Sequence, residues 1–245
     1  MSAQAQTITK SSITDRDSSW KSIYKLSGAG AWILLVYSLV TMVILVTIGG
    51  QPETAQEGFS MLVENRLVGL LRLDILAVLI MPLYYLLFLS LYTILKKTHH
   101  AYAKLATLFV FAGLTLFLAT PSVFSWLALS DKFAAAVSEE QKNLLLAAGE
   151  AILVSDMWHG SGPIIGGILM QTGALLISMI MLRSTNFAKS TAYVGIVTHG
   201  LDLVHILIGF FSVTGGIILM AIAGPLYLVW FPLLARDFFR MDRSN

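Results

Sequence analysis

Ala192 to Phe211, AYVGIVTHGLDLVHILIGFF, carries one carboxylate, Asp202, and two imidazoles, His199 and His205, in an otherwise apolar run. As a helix rising 1.5 Å per residue, the stretch is just long enough to cross a hydrocarbon core of about 30 Å. A carboxylate near mid-bilayer costs about 2.5–3.5 kcal/mol on insertion scales, so it faces a protein interior and has a partner or a task. Sliding the helix one way drags Lys189 inward, and sliding it the other way meets Gly215 and Gly216, where a glycine turn is expected. Asp202 therefore has no route to the surface.

Composition points the same way. The chain has 245 residues, 56% hydrophobic and only 12% charged, whereas soluble domains carry about 25% charged residues. That much apolar surface does not fit inside one soluble core, so the expected class is an all-α, polytopic membrane helix bundle. With no cysteine, disulfides, thiolate metal sites and thiol nucleophiles are excluded.

The length of a bilayer crossing then divides the chain. Six spans are predicted: residues 29–48, 67–95, 105–129, 163–182, 192–211 and 213–234. Two contain charge, the second with Arg72 and Asp74 and the fifth with Asp202. The polar, Ser/Thr-rich residues 1–26 read as a disordered tail running into an interfacial anchor of Trp20, Lys21, Tyr24 and Lys25. A cleaved signal peptide fits poorly, because the polar lead is long and no clear Ala-x-Ala site follows. Residues 27–240 form the transmembrane domain and 241–245 a second short tail.

Basic residues set the orientation, since they accumulate on the cytoplasmic side. With the N-terminus inside, the inner set holds Lys10, Arg16, Lys21, Lys25, Lys96, Lys97, Lys104, Arg183, Lys189, Arg236, Arg240 and Arg243. Only Arg66, Lys132 and Lys142 fall outside, so both termini are expected in the cytoplasm. His99 and His100, beside Lys96 and Lys97, read as an interfacial anchor suited to anionic lipid headgroups.

One long connection, residues 130–162, lies on the outer side. Ser138 with Gln141 three residues on is a capping-box pattern, and Leu144, Leu145, Ala148, Ile152 and Leu153 recur at helical spacing. An amphipathic helix over about 139–154 is predicted, either a lid or a cover for the helix ends. Asp156 and His159 mark its outer mouth. Pro163 suits a first helical turn, while Pro82, Pro121 and Pro225 fall within spans and are expected to kink them. Gly162, Gly166, Gly167 and Gly173 give one helix a smooth face for close packing, within the chain or between copies.

The cluster is the candidate site. On a helix His199, Asp202 and His205 fall within an arc of about 120°. Counted from Phe211, His205 lies about 9 Å deep, Asp202 about 13 Å and His199 about 18 Å; counted from Leu67, Arg72 lies about 8 Å and Asp74 about 10 Å. Equal depth predicts a contact between the second and fifth spans, Arg72 with Asp202 and Asp74 with His205 or His199. Alternatively, residues 75–95 alone cross the bilayer, and Arg72 and Asp74 rest at its boundary.

A His/Asp/His set is competent to carry protons. Ligation of a metal by His199, Asp202 and His205 is the weaker idea, because histidines six apart on a helix diverge, and a metallohydrolase would need a third ligand. Haem would need a histidine on a facing helix, which His199 lacks. No phosphate-binding loop and no nucleophile–base–acid spacing is present, so no cofactor, nucleic acid or catalytic residue is expected. The bilayer itself is the expected partner, with a proton or small molecule as ligand.

ALSDKFAAAVSEEQKNLLLAAGEA (128–151), the Gly-rich fourth span and MLRSTNFAKSTAYVGI (181–196) together resemble a group of uncharacterised prokaryotic multi-pass membrane proteins known only as a domain of unknown function. The resemblance covers roughly Leu67 to Arg240. It implies six transmembrane helices and a prokaryotic plasma membrane, and supplies no substrate or catalytic residue. Two functions stay open: a transporter-like unit handling a small molecule or protons at the cluster, or a partner subunit or sensor in which the cluster only clasps helices.

Overall fold

The computed structural model describes residues 3–120, 122–155 and 160–243, with side chains from Trp20 to Met241. Among the described residues there is helix and no strand. The first element, α1 (Ala3–Thr47), takes the polar lead and the first span into one helix, so residues 3–26 are helical where composition predicts a disordered tail. The helix ends two residues before Gly49, whose φ of +106° is a conformation that glycine adopts without a Cβ penalty. At the other terminus the last helix runs on to Arg243, leaving little of the expected tail.

Four short helices form a layer at the end of the bundle where α1 finishes. They are α2 (Ala55–Glu64), α3 (Arg66–Arg72), α6 (Val123–Ala135) and α7 (Glu139–Leu153). Thr54 and Asn65 start α2 and α3 by accepting from the N–H groups of Glu57 and Val68. Both satisfy donors that the first turn leaves open. The layer has its own small core, in which Phe59, Leu62 and Trp126 are buried. Helix α7 matches its predicted limits because its signal is local. Ser138 Oγ accepts from Gln141 N–H, and Gln141 Oε1 reaches back to Val137 N–H rather than to Ser138. Glu150 on α7 accepts from Ala55 N–H at 2.7 Å, capping α2. So α7 is tied into the layer and not left free as a flap.

The second span, expected as one helix kinked at Pro82, is broken into three. After α3 the chain turns at Asp74 into α4 (Ile75–Ile80), then restarts at Pro82 as α5 (Leu83–Leu118). Pro82 opens a helix instead of kinking one, as suits a residue without an N–H. Helix α5 is itself two helices: His99, at φ −155° and ψ 88°, leaves the helical conformation. Tyr85 and Thr115 share a hydroxyl hydrogen bond of 2.7 Å, so the halves lie antiparallel. The third predicted span, 105–129, is not one helix: α5 ends at Leu118 and α6 begins at Val123, while Pro121, expected to kink it, lies outside the described residues.

The remaining elements are α8 (Ser161–Met181), α9 (Lys189–Gly209) and α10 (Val213–Arg243). The glycine turn expected at Gly215 and Gly216 is instead the first turn of α10, capped by Ser212 Oγ on Gly215 N–H. Those glycines serve closeness: a Cβ on Gly216 would stand 3.1 Å from Gly209 Cα of the facing helix. Each long helix packs on the next in sequence, and α10 returns to α1. The glycine face of α8 is spent inside the chain. A Cβ on Gly173 would lie 2.4 Å from the Ala106 carbonyl, and one on Gly113 would lie 2.3 Å from the Gly166 carbonyl.

Among the described residues five helices are long and apolar enough to cross a membrane. Their outward faces are apolar too, with Val46 at 83% and Val213 at 73% exposure. In water such surface would drive association; in lipid it is matched. The fold is thus an all-α bundle of a membrane protein.

Candidate functional site

Gln171 is the middle residue of α8, His199 the middle residue of α9, and Tyr227 the middle residue of the apolar stretch Val213–Met241 of α10. Each stands as far from water as its helix allows, and the three meet around Asp202, one turn beyond His199.

Tyr227 donates its hydroxyl to Asp202 Oδ2 at 2.5 Å, and Gln171 Nε2 donates to the same oxygen at 3.0 Å. Because the amide nitrogen faces the carboxylate, Gln171 Oε1 faces His199 Nδ1, 2.8 Å away, and accepts from it. The Tyr227 hydroxyl also lies 3.3 Å from His199 Nδ1, closing the group. This arrangement puts the imidazole proton on Nδ1 and leaves Nε2 a bare lone pair, buried and without a partner. The His199 ring stands perpendicular to Trp230, centroids 4.6 Å apart. Tyr84, at the start of α5, packs edge-on to Phe231 and is close enough to interact electrostatically with Asp202 and Tyr227.

His205 completes the set. Its Nδ1 lies 3.4 Å from Asp202 Oδ1, near enough for charge attraction but not aligned as a hydrogen bond. Its side chain is 23% exposed, against 8% for residue Asp202 and 1% for His199. His205 is therefore the most exposed of the three ionisable groups His199, Asp202 and His205.

The contact expected between the second and fifth spans does not form. Arg72 donates from Nε to the Gly50 carbonyl at 2.7 Å and pairs with Glu57 at 2.6 Å. Asp74 accepts from the Tyr37 hydroxyl at 3.0 Å and from Ala77 N–H at 3.2 Å. Equal depth fixes height and not direction. The break at Asp74, φ 54° and ψ 46°, turns Arg72 and Asp74 to different neighbours. A left-handed conformation costs an L-residue about 1–2 kcal/mol, offset here by the cap that Asp74 makes on α4. Of the outer-mouth pair, Asp156 and His159 lie outside the described residues.

Arg72 leaves a trace on its partner. The Glu57 carboxyl is held below its usual value of 4.5, first by the Glu53 N–H that it accepts and then by Arg72. Asp202 has no comparable partner: among the described residues its ion-pair neighbour is His205 alone.

Sequence reading missed Gln171, Tyr227 and Asp237. Gln171 did carry a signal, as an amide at the centre of an uncharged span. Asp237 is fully buried on α10. It accepts from Ala188 N–H at 3.0 Å and the Thr191 hydroxyl at 2.6 Å while pairing with Arg236 at 3.1 Å. There it caps α9 and favours the positive end of that helix dipole. It lies one residue from Arg236 and three from Arg240, which the orientation argument counted, and its burial is not visible there.

Among the described residues no three His, Asp or Glu side chains converge as a metal site. Comparison with protein-family models, with curated proteins and with solved structures gives no match.

Proposed function

We propose that this is a six-span protein of the prokaryotic plasma membrane, termini cytoplasmic, that takes up and releases protons at Asp202. The crossing count rests on the reversal at His99, which makes two antiparallel passes of one long apolar element. Orientation rests on the basic residues, and the prokaryotic setting on the resemblance drawn from residues 128–151 and 181–196.

One observation carries the proton reading: the mid-bilayer carboxylate is held by neutral donors, Tyr227 and Gln171, with no Lys or Arg paired to it among the described residues. A pure clasp built from Arg and Asp is neutral with every proton fixed. A carboxylate among neutral donors reaches neutrality only by gaining a proton, on itself or on His205, and such a proton exchanges. The groups facing it are His199 and His205 on α9, Gln171 on α8, Tyr227 on α10 and Tyr84 on α5. Burial favours a proton over a larger ligand, because His199 and Asp202 leave so little surface open.

The test is proton movement in vesicles reconstituted with the full chain and loaded with a pH-sensitive dye. A potassium gradient with valinomycin sets the membrane potential. The wild type moves protons, and Asp202→Asn, which keeps an acceptor for Tyr227, folds and loses the movement. Because the cluster also joins α8, α9 and α10, a helix clasp is the second reading. It is favoured if Asp202→Asn abolishes folding and the wild type moves no protons.

A further inference from the structure

Asp202 is not the only carboxylate of the bundle held by neutral donors. Asp74 accepts from a hydroxyl, that of Tyr37, and from a backbone N–H, that of Ala77. Arg72 stands two residues away and points elsewhere, to Glu57 and Gly50. The left-handed turn at Asp74 creates this separation: it sends the guanidinium toward the α1 terminus and the carboxylate toward the body of α1. Tyr37 lies about ten residues, or about 15 Å along the helix, before Thr47, so Asp74 meets it well inside the bundle. A strained residue that places a carboxylate away from an available cation is an outlier from which function can be argued.

We infer that Asp74 is a second proton-binding carboxylate of the membrane interior, with Tyr37 as its hydroxyl donor. The inference rests on the same chemistry as the reading of Asp202. The groups around it are Tyr37 and Thr41 on α1, with Arg72 on α3 two residues away. Thr41 lies one turn along α1 from Tyr37, and its hydroxyl oxygen is buried beside the Tyr37 hydroxyl. The bundle then binds two protons rather than one, at Asp74 and at Asp202.

Infrared difference spectra of the full chain in lipid vesicles, acid minus alkaline, test this through the carbonyl band of protonated carboxyl groups. Asp74→Asn is the informative variant, because asparagine tolerates the left-handed turn and still caps α4 while removing the acid. The expected result is loss of one carboxylic-acid band in Asp74→Asn, loss of a different one in Asp202→Asn, and a frequency shift of the first in Tyr37→Phe. Tyr37→Phe keeps the acid and removes only its donor, so it reports even if Asp74→Asn folds poorly. Spectra of Asp74→Asn and Tyr37→Phe that superimpose on the wild type overturn the inference. If Asp202→Asn still removes its band, the reading of Asp202 survives that failure; if no variant changes the spectrum, both fall.

Discussion

Replacing Gly173 by alanine tests how the bundle is held together. The new Cβ would stand 2.4 Å from the Ala106 carbonyl oxygen and 2.9 Å from the Val110 nitrogen. Both are backbone atoms, so no side chain can swing aside. Ordinary contact begins near 3.4 Å, and the second half of α5 and α8 must part by about 1 Å. Helix α8 has little room to retreat toward α9, where a Cβ on Gly195 would already meet Ser178 Oγ at 2.5 Å. The displacement therefore falls on α5, and its cost is that of overpacking a close-packed interface, about 1–3 kcal/mol. Gly200→Ala is the matched control: nothing lies within 4 Å of its Cβ, and alanine improves helix propensity by up to about 1 kcal/mol. Thermal unfolding in detergent, followed by circular dichroism, should show Gly173→Ala several degrees below the wild type and Gly200→Ala level with it or above. Equal melting temperatures for the two variants would refute the packing argument.

The buried cap on α9 gives a second expectation. Asp237→Ala leaves the Thr191 hydroxyl and Ala188 N–H without their acceptor, at about 1–3 kcal/mol for each buried donor; Asp237→Asn, which can still accept, should fall between it and the wild type in the same assay. The layer of short helices should respond to acid through Glu57. A carboxyl lowered in the folded state stabilises fully above its unfolded value, here 4.5, and that stability disappears as pH falls through the lower folded value. Hydrogen exchange across residues 50–72 should accelerate as pH drops below that window, once corrected for the intrinsic rate, and Glu57→Gln should flatten the dependence while weakening the segment at neutral pH.

Features determined by nearby sequence were readable from it. Helix α7 is set by Ser138, Gln141 and an apolar period, all within a few turns, and it starts where those residues place it. Asp202 was found from chain length alone, since nothing on either side let it escape. Its partners were a different matter. Gln171 and Tyr227 are uncharged, come from α8 and α10, and meet Asp202 only through the way those helices are rotated about their axes. Depth along a helix can be counted, whereas rotation is decided by packing, as the two glycine-lined contacts of α8 with α5 illustrate. The same gap undid the Arg72–Asp202 pairing, where a single left-handed residue redirected the chain. The reversal of α5 was legible as the gap between the predicted spans 67–95 and 105–129, where Lys96, Lys97 and Lys104 cluster; only the residue at which it turns was hidden, because His99 sits in a near-extended conformation open to any residue, with no glycine or proline to announce it.

That reversal bears on how the protein is built. The arms on either side of His99 are joined with almost no slack, and Tyr85 bonds Thr115 across them. In the orientation proposed above, this turn and its Lys96, Lys97 and Lys104 stay on the side where the chain is made, and the two arms should enter the bilayer as a pair, already side by side.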